Sequence, residues 1–461
     1  MLLNRFFCCF IALCLLAACN KDEELTIDPN AKLSFSADSI LFDTVFTSIG
    51  STTRRLKIKN TNANRININS IKLAGGNNSA YSLNINGQAG NSLQELKLNG
   101  NDSIYIFIKV NINPNSKILP FIVQDSILLE YNAIKTNIPL VAYGQNAIFL
   151  NNATISANTT WNSQLPYVIY KSATISENSH LTIEEGTRVF FNGKATLNIK
   201  GTLSVKGSKT DSVVFASDRL EQIYLNESGQ WNGIHFFAES SNSSINYAVI
   251  KNAIVGITVD SLSKNDQPKL LLTNSVVKNM EVVGFLGYQT ELTAFNNLFY
   301  NCGQYLVYGA GGGNYNLKQN TFAGYNLNFN RKTPSVYLSD NVSSTQNANL
   351  SVTLTNNIFW GWLNNELVIE KKAIATVLTA NIQNNLIKTT QLSYQGNGNL
   401  INTDPQFINP SLGNFKLSNS SAAKNKGADL TTDRFFTRFL RTDLENKTRL
   451  FPSELGCYEN N

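Results

Sequence analysis

Leu272-Thr273-Asn274-Ser275-Val276-Val277 returns 22 residues later as Ala294-Phe295-Asn296-Asn297-Leu298-Phe299. Weaker or displaced copies follow as Leu317-Lys318-Gln319-Asn320-Thr321-Phe322, Leu354-Thr355-Asn356-Asn357-Ile358-Phe359 and Ile382-Gln383-Asn384-Asn385-Leu386-Ile387. The third position of the copies falls at 274, 296, 319, 356 and 384, giving steps of 22, 23, 37 and 28 residues. A step near 22 is one turn of a parallel β-helix. One turn cannot bury its own apolar face, but stacked turns bury a continuous core. The Asn recurs at the bend, where its amide can bond to the amides above and below and satisfy groups that water cannot reach. Asn also tolerates the left-handed backbone that such corners require.

The same regime begins near Ala147. Thr196-Leu197-Asn198-Ile199-Lys200-Gly201 and Thr202-Leu203-Ser204-Val205-Lys206-Gly207 are near-identical hexads, each closed by Gly, and read as short strands joined by tight bends. A propeller would repeat at about 40 residues and would leave the hexads unexplained. The longer steps place insertions on one rim, the largest around Asn326 to Asn349. Upstream, from Lys32 to about Gln145, short alternating strands such as Ser103-Ile104-Tyr105-Ile106-Phe107-Ile108 are separated by Asn/Gly turns. Alternation packs one face and wets the other, and about seven such strands read as a β-sandwich. The expected fold is all-β: an Ig-like β-sandwich over 32–146, a right-handed parallel β-helix over 147–425 and a C-terminal cap over 426–461.

The first 18 residues carry one charge, Arg5, and an apolar run from Phe6 through Leu16. That run is too short to span a bilayer and has the length of a signal-peptide core. It ends in Leu16-Ala17-Ala18-Cys19, which resembles the bacterial lipobox. The resemblance implies a signal peptide over 1–18, acylation of Cys19 and a lipidated tether over 19–31. Asn20-Lys21-Asp22-Glu23-Glu24 resembles the signal that sends Bacteroidota lipoproteins to the outer face of the outer membrane. Outer-membrane lipid, reached through Cys19, is then the expected partner and the cell surface the expected location. The mature chain keeps only Cys302 and Cys457 besides Cys19, so it is no disulfide scaffold.

Composition agrees with an all-β protein with polar turns: 42% hydrophobic and only 15% charged residues. The net charge of +6 is modest and its basic residues are scattered, which argues against a nucleic-acid partner. A monomer is expected. The ending Asn402-Thr403-Asp404-Pro405-Gln406-Phe407, then Phe415-Lys416-Leu417-Ser418, then Ala422 to Gly427, resembles that of envelope β-helix proteins of the pectate-lyase-like superfamily. Their closing R-x-x-P-x-x-G-A-Y-E segment is closely matched by Arg449, Pro452, Gly456, Cys457, Tyr458 and Glu459, with one residue more between Pro452 and Gly456 and with Cys457 in place of alanine. These motifs are structural and imply a fold rather than an activity.

Many proteins of this architecture cleave polysaccharides, so the carboxylates decide the enzyme question. A Ca²⁺-assisted lyase needs acids converging on one ion beside a Lys or Arg, and a hydrolase needs two carboxyls about 5–10 Å apart. Asp260, Glu281 and Glu291 occupy different positions in their turns. Glu366 with Glu370 is the best acid pair, but it reads first as a solvated strand edge. His180 and His235 lie far apart in sequence and suit packed or surface positions. No Cys or His pair has metal-ligand spacing, so no metal or other cofactor is expected. Gly309-Ala310-Gly311-Gly312-Gly313 lacks the following Lys-Ser/Thr of a phosphate loop and reads as a corner.

Aromatic residues offer more. Trp360-Gly361-Trp362 sets two indoles on one face of a strand, and Tyr305 and Tyr308 extend the strip, where sugar faces can stack. The alternative places some of these rings in the internal stack of the helix. Arg331 and Lys332, in the polar insertion, are candidate groove walls. Three functions follow: a surface lipoprotein that binds polysaccharide or another extracellular polymer without cleaving it, a polysaccharide lyase, or a structural or adhesive envelope protein. The first is the expectation.

Overall fold

The computed structural model describes residues 24–325, 328–343 and 345–460, and these form two compact units that divide between Asn146 and Ala147. The signal segment, Cys19 and the first residues of the tether lie outside the described residues, as do Asn326 and Ser344 in the insertion.

The first unit is a sandwich of two five-stranded sheets. One runs in the order Leu33–Phe35, Arg54–Asn60, Ser103–Val110, Tyr81–Ile85, Gln88–Ala89; the other Ile40–Phe46, Ile134–Gln145, Phe121–Tyr131, Ile66–Leu73, Ser92–Leu98. Alternation does what the sequence pattern requires. In Ser103–Val110 the residues Ile104, Ile106, Ile108 and Val110 are buried while Tyr105, Phe107 and Lys109 face out. Ten strands form rather than seven, because short edge segments such as Gln88–Ala89 pair without carrying an apolar pattern. Residues 24–31, expected as tether, are not loose. Thr26 N–H donates to the Arg65 carbonyl at 2.9 Å, and the Asn132 amide donates to the Asp28 carbonyl at 3.2 Å.

The second unit is one continuous sheet of 25 strands coiled into a parallel β-helix with three faces. On the first face, part of Tyr167–Ile175 is followed by Thr196–Ile199, Gly233–Phe236, Val255–Asp260, the starts of Val283–Phe295 and Tyr305–Lys318, Val336–Ser339 and Leu367–Glu370. The second face runs through Thr202–Lys206, Ser243–Asn246, Leu270–Thr273, the ends of the two long strands, Leu350–Thr355 and Leu378–Gln383. The third includes Val276–Met280, Leu298–Cys302, Thr321–Gly324 and Ile358–Gly361.

Register makes the inward columns unbroken. Val189, Phe215, Ile250, Val277, Phe299, Phe322, Phe359 and Ile387 pair in succession on the third face, all buried. Phe322 and Phe359 stack at 5.0 Å. Each such side chain contributes roughly 1.5–3 kcal/mol by leaving water. The hexads are consecutive strands of the first and second faces. Their closing glycines are required by close approach. A Cβ on Gly201 would lie 2.2 Å from the Ser179 carbonyl oxygen, and one on Gly207 would lie 2.0 Å from that of Tyr247.

The bend between second and third faces divides its work between neighbouring residues. The third position of each repeat takes the left-handed conformation: φ is 49° at Asn274, 55° at Asn296, 57° at Gln319, 59° at Asn356 and 52° at Asn384. The next residue forms an internal ladder. Asn320 amide donates to Asn357 Oδ1 at 3.0 Å, Asn357 to Asn385 at 3.0 Å, and Asn385 to Asn399 at 3.2 Å. Each Oδ1 also accepts the backbone N–H of the preceding rung, as Asn357 does from Asn320 at 2.9 Å. The single bend Asn expected from sequence is therefore two residues, one bending the chain and one satisfying the buried corner.

The polyglycine run lies inside the long strand Tyr305–Lys318, where positive φ at Gly311, Gly312 and Gly313 turns the chain from first to second face. The large insertion is not one rim loop, because it contains the first-face strand Val336–Ser339 between two loops. Beyond Ile401 the chain folds back along the flank. Phe407, Phe415 and Leu417 cover Leu298, Ala323, Ile358 and Trp360 on the outside of the third face. Residues 426–442 then descend the bend and 449–457 climb it again. Asn384 donates to the Lys426 carbonyl, Asn356 to Ala428 and Asn296 to Phe439 and Thr442, at 2.7–3.0 Å. On the return, Gln319 bonds Ser453 at 2.8 Å, and Arg449 pairs with Glu459 and Asn296 at 2.8 and 3.0 Å. The segment expected as a cap is a strap along the side, held there because the bend amides point outward.

Candidate binding surface

The outside of the first face is left open, and strand register sets its residues in columns. His235, Thr258, Leu286, Tyr308, Tyr337 and Val368 are partners on successive strands. Beside them Asp260 pairs with Tyr288. Four tyrosines thus meet on three adjacent strands. Tyr305 and Tyr308 lie 4.9 Å apart between ring centroids, Tyr308 and Tyr337 stack at 5.3 Å and 13°, and Tyr288 meets Tyr308 edge-on at 6.3 Å. Burial, with the neighbouring phenols adding to it, raises the pKa of Tyr308 above its ordinary value. A row of exposed and half-buried phenol rings can stack on apolar sugar faces and bond to hydroxyls.

A charged pair closes one end of the strip. Tyr337 hydroxyl donates to Glu370 Oε2 at 2.7 Å, and Lys372 Nζ lies 2.6 Å from the same oxygen and 5.5 Å from the Tyr337 ring centre. The Lys372 ammonium, then the Tyr337 hydroxyl, hold the Glu370 carboxyl below its usual range. Buried Asp340 fixes the loop that carries the lysine by accepting the Lys372 backbone N–H at 2.8 Å. At the other end His235 Nε2 is 2.8 Å from Asp260 and its ring stacks on Phe237 at 4.0 Å.

The sequence-derived candidates separate. Tyr305 and Tyr308 are in the strip. Trp360 is not: it is 8% exposed and covered by the returning C-terminal layer, with Lys388 over its ring at 5.1 Å. Trp362 falls past the end of Ile358–Gly361, 60% exposed, and touches Tyr325 edge-on at 6.5 Å. The two indoles do not share an open face. Arg331 is buried against Glu366, its Nη2 2.8 Å from both carboxylate oxygens, so it walls no groove. Glu366 also accepts from Ser335 at 2.5 Å and from the Leu363 N–H at 2.9 Å, which exhausts it and dissolves the Glu366–Glu370 pair.

Glu291 accepts the Lys269 N–H at 2.6 Å at the start of the second face, and with Asp260 on the first face it acts on the Lys269 ammonium, which the Ala238 carbonyl and Ser261 hydroxyl hold. Asp260 and Glu370 are four strand steps apart, about 19 Å, against the 5–10 Å a hydrolase uses. His180 bonds Ser204 at 2.7 Å. Among the described residues no group of three His, Cys, Asp or Glu is placed to hold a metal ion. Cys302 and Cys457 sit in different apolar clusters, and burial pushes both thiols up to about 12. Sequence reasoning missed Tyr288, Tyr337 and Lys372. Only register reveals them, because Tyr308 and Tyr337 are 29 residues apart and the intervening loop hides the repeat.

No family model and no curated protein matches the chain. Solved structures similar to parts of it include a protein of unknown function from Porphyromonas gingivalis W83, at 10% identity and TM-score 0.19 over 27% of this chain and 60% of that one. A family 123 glycoside hydrolase from Clostridium perfringens aligns at 13% identity and TM-score 0.18, over 28% of this chain and 30% of that one. The catalytic unit of a GH87 alpha-1,3-glucanase from Streptomyces thermodiastaticus strain HF3-3 aligns over 73% and 75% of the two chains, at 10% identity and TM-score 0.26. Likenesses at these scores leave the reading of function to the chain's own residues.

Proposed function

We propose that this is a lipid-anchored protein of the outer cell surface whose β-helix, wound right-handed, binds a polysaccharide along its first face without cleaving it. The anchor is acylated Cys19, and the sandwich is an Ig-like spacer that carries the helix clear of the membrane. The observation that supports binding is the strip of Tyr288, Tyr305, Tyr308 and Tyr337 ending in the Glu370–Lys372 pair. The separation of Asp260 from Glu370 speaks against a two-carboxylate mechanism. The test takes the chain from Asn20 onward, run through native gels containing neutral or acidic polysaccharides and assayed for new chain ends with and without Ca²⁺. Retardation by one glycan, lost in Tyr308→Ala/Tyr337→Ala and without new ends, is the expected result. New ends on any glycan, or the lack of any glycan whose retardation the double substitution removes, overturn the proposal.

A further inference from the structure

The outside of the second face is closed by the strap only in its later turns. Phe435 packs on Phe295 at 5.1 Å, Asp433 pairs with Lys318, and Asn296 holds the Phe439 and Thr442 carbonyls. In the earlier turns the same strap leaves a groove of about 760 Å³. Its floor is the outward row Ser204, Ser244 and Leu271, which are register partners on successive strands. Its wall is the strap segment from Arg434 to Thr442.

The charge of the groove is one-sided. Lys206, Arg434 and Arg438 line it, and no Asp or Glu does. Lys206 reaches Glu184 only at 3.6 Å with both side chains exposed, a contact worth little. Arg434 and Arg438 form no salt bridge with any described residue and are exposed. Instead each guanidinium lies over the ring that follows it, Arg434 at 4.5 Å from Phe435 and Arg438 at 5.1 Å from Phe439. Arg434 lies in the turn before the π-helical segment Phe436–Leu440 and Arg438 within it, and both line the groove. A cation held flat on an aromatic ring keeps its outer N–H edge free for a planar anion. Nine further lining residues are Ser, Thr or Asn, among them Ser204, Ser244 and Asn246, the complement of sugar hydroxyls.

We propose that this groove is a second binding site, taking an anionic polysaccharide whose carboxylate or sulfate groups pair with Arg434 and Arg438 while its hydroxyls bond to the second-face floor. It stands independently of the tyrosine strip. The probes are polygalacturonate, dextran sulfate and neutral dextran in retardation gels. The variants are Arg434→Gln/Arg438→Gln, the strip variant Tyr308→Ala/Tyr337→Ala, and Lys97→Gln/Lys135→Gln, which removes the same charge from the sandwich surface.

Binding of at least one acidic polymer should weaken about tenfold in the arginine variant and stay unchanged in the other two, with dextran indifferent throughout. The polymer affected tells carboxylate from sulfate. Equal weakening in the lysine variant would reduce the effect to net charge and overturn the proposal, as would a wild-type protein that neither acidic polymer retards. Loss only in the strip variant overturns it while leaving the first site standing. All substituted side chains are exposed or half-buried, and equal thermal midpoints confirm intact folding.

Discussion

Asparagines at the third and fourth positions of the repeat share one side-chain chemistry and have separate costs of loss. Asn357→Ala removes the acceptor of the Asn320 N–H and of its amide, and the donor to the Leu317 carbonyl, all buried. At 1–3 kcal/mol for each orphaned group, discounted for relaxation, a loss of about 3 kcal/mol is expected in denaturant titration. Asn274 is different, since its backbone sits at φ 49°. There Asn274→Gly loses only the side-chain bonds to Asn246 and Asn296 and should cost about 1–2 kcal/mol, while Asn274→Val adds backbone strain of about 1–2 kcal/mol, a contrast that the same titration reads. A third residue is legible through pH. Lys269 is fully buried, its Nζ bonding the Ala238 carbonyl and Ser261 hydroxyl at 3.1 and 3.0 Å, and burial pushes its ammonium down to about 8. The unfolded chain holds that proton to about pH 10.4, so from pH 8 upward the unfolded state binds more protons and Lys269 makes stability rise with pH. Buried phenols such as Tyr300, raised to about 12, oppose this above pH 10. The difference between wild type and Lys269→Met isolates the lysine: the variant should lose the rise between pH 8 and 10, and a parallel pair of curves would contradict it.

Among elements, the strap is the one whose internal chemistry decides its place. Arg449 and Glu459 are both buried, and each completes the other. Arg449→Met leaves a buried carboxylate unpaired and should cost about 3–5 kcal/mol, while Arg449→Met/Glu459→Leu should recover much of it. Limited proteolysis between 426 and 460 reads the release directly. The sequence announced this element through Arg449, Pro452, Gly456 and Glu459, but only as a familiar ending. Nothing in a string of letters says that the bend amides of Asn296, Gln319, Asn356 and Asn384 point outward and wait for a partner. The repeat itself was legible because inward columns demand apolar residues at a fixed step. The tyrosine strip was half legible, since outward positions obey no such demand and their alignment depends on loop lengths. Trp360 misled for the complementary reason: an outward residue on a strand is exposed only if nothing folds back over it.

The whole molecule follows from two separate cores, one of Ile, Leu and Val between two sheets and one inside the coil. The third face adds a further layer, in which Phe407, Phe415 and Leu417 shield Leu298, Ile358 and Trp360. A chain ending at Thr403 should therefore expose a contiguous apolar patch, bind a hydrophobic dye and self-associate in sedimentation, whereas the full chain does neither. Solenoids without such a layer hold together only through nearest neighbours. Here the strap changes the mechanics. Its limbs are bonded to the bend at four successive turns. A tug on the far end of the chain loads those bonds side by side, in shear, before any strand can peel. The coil is thereby buckled against unravelling from its C-terminal side.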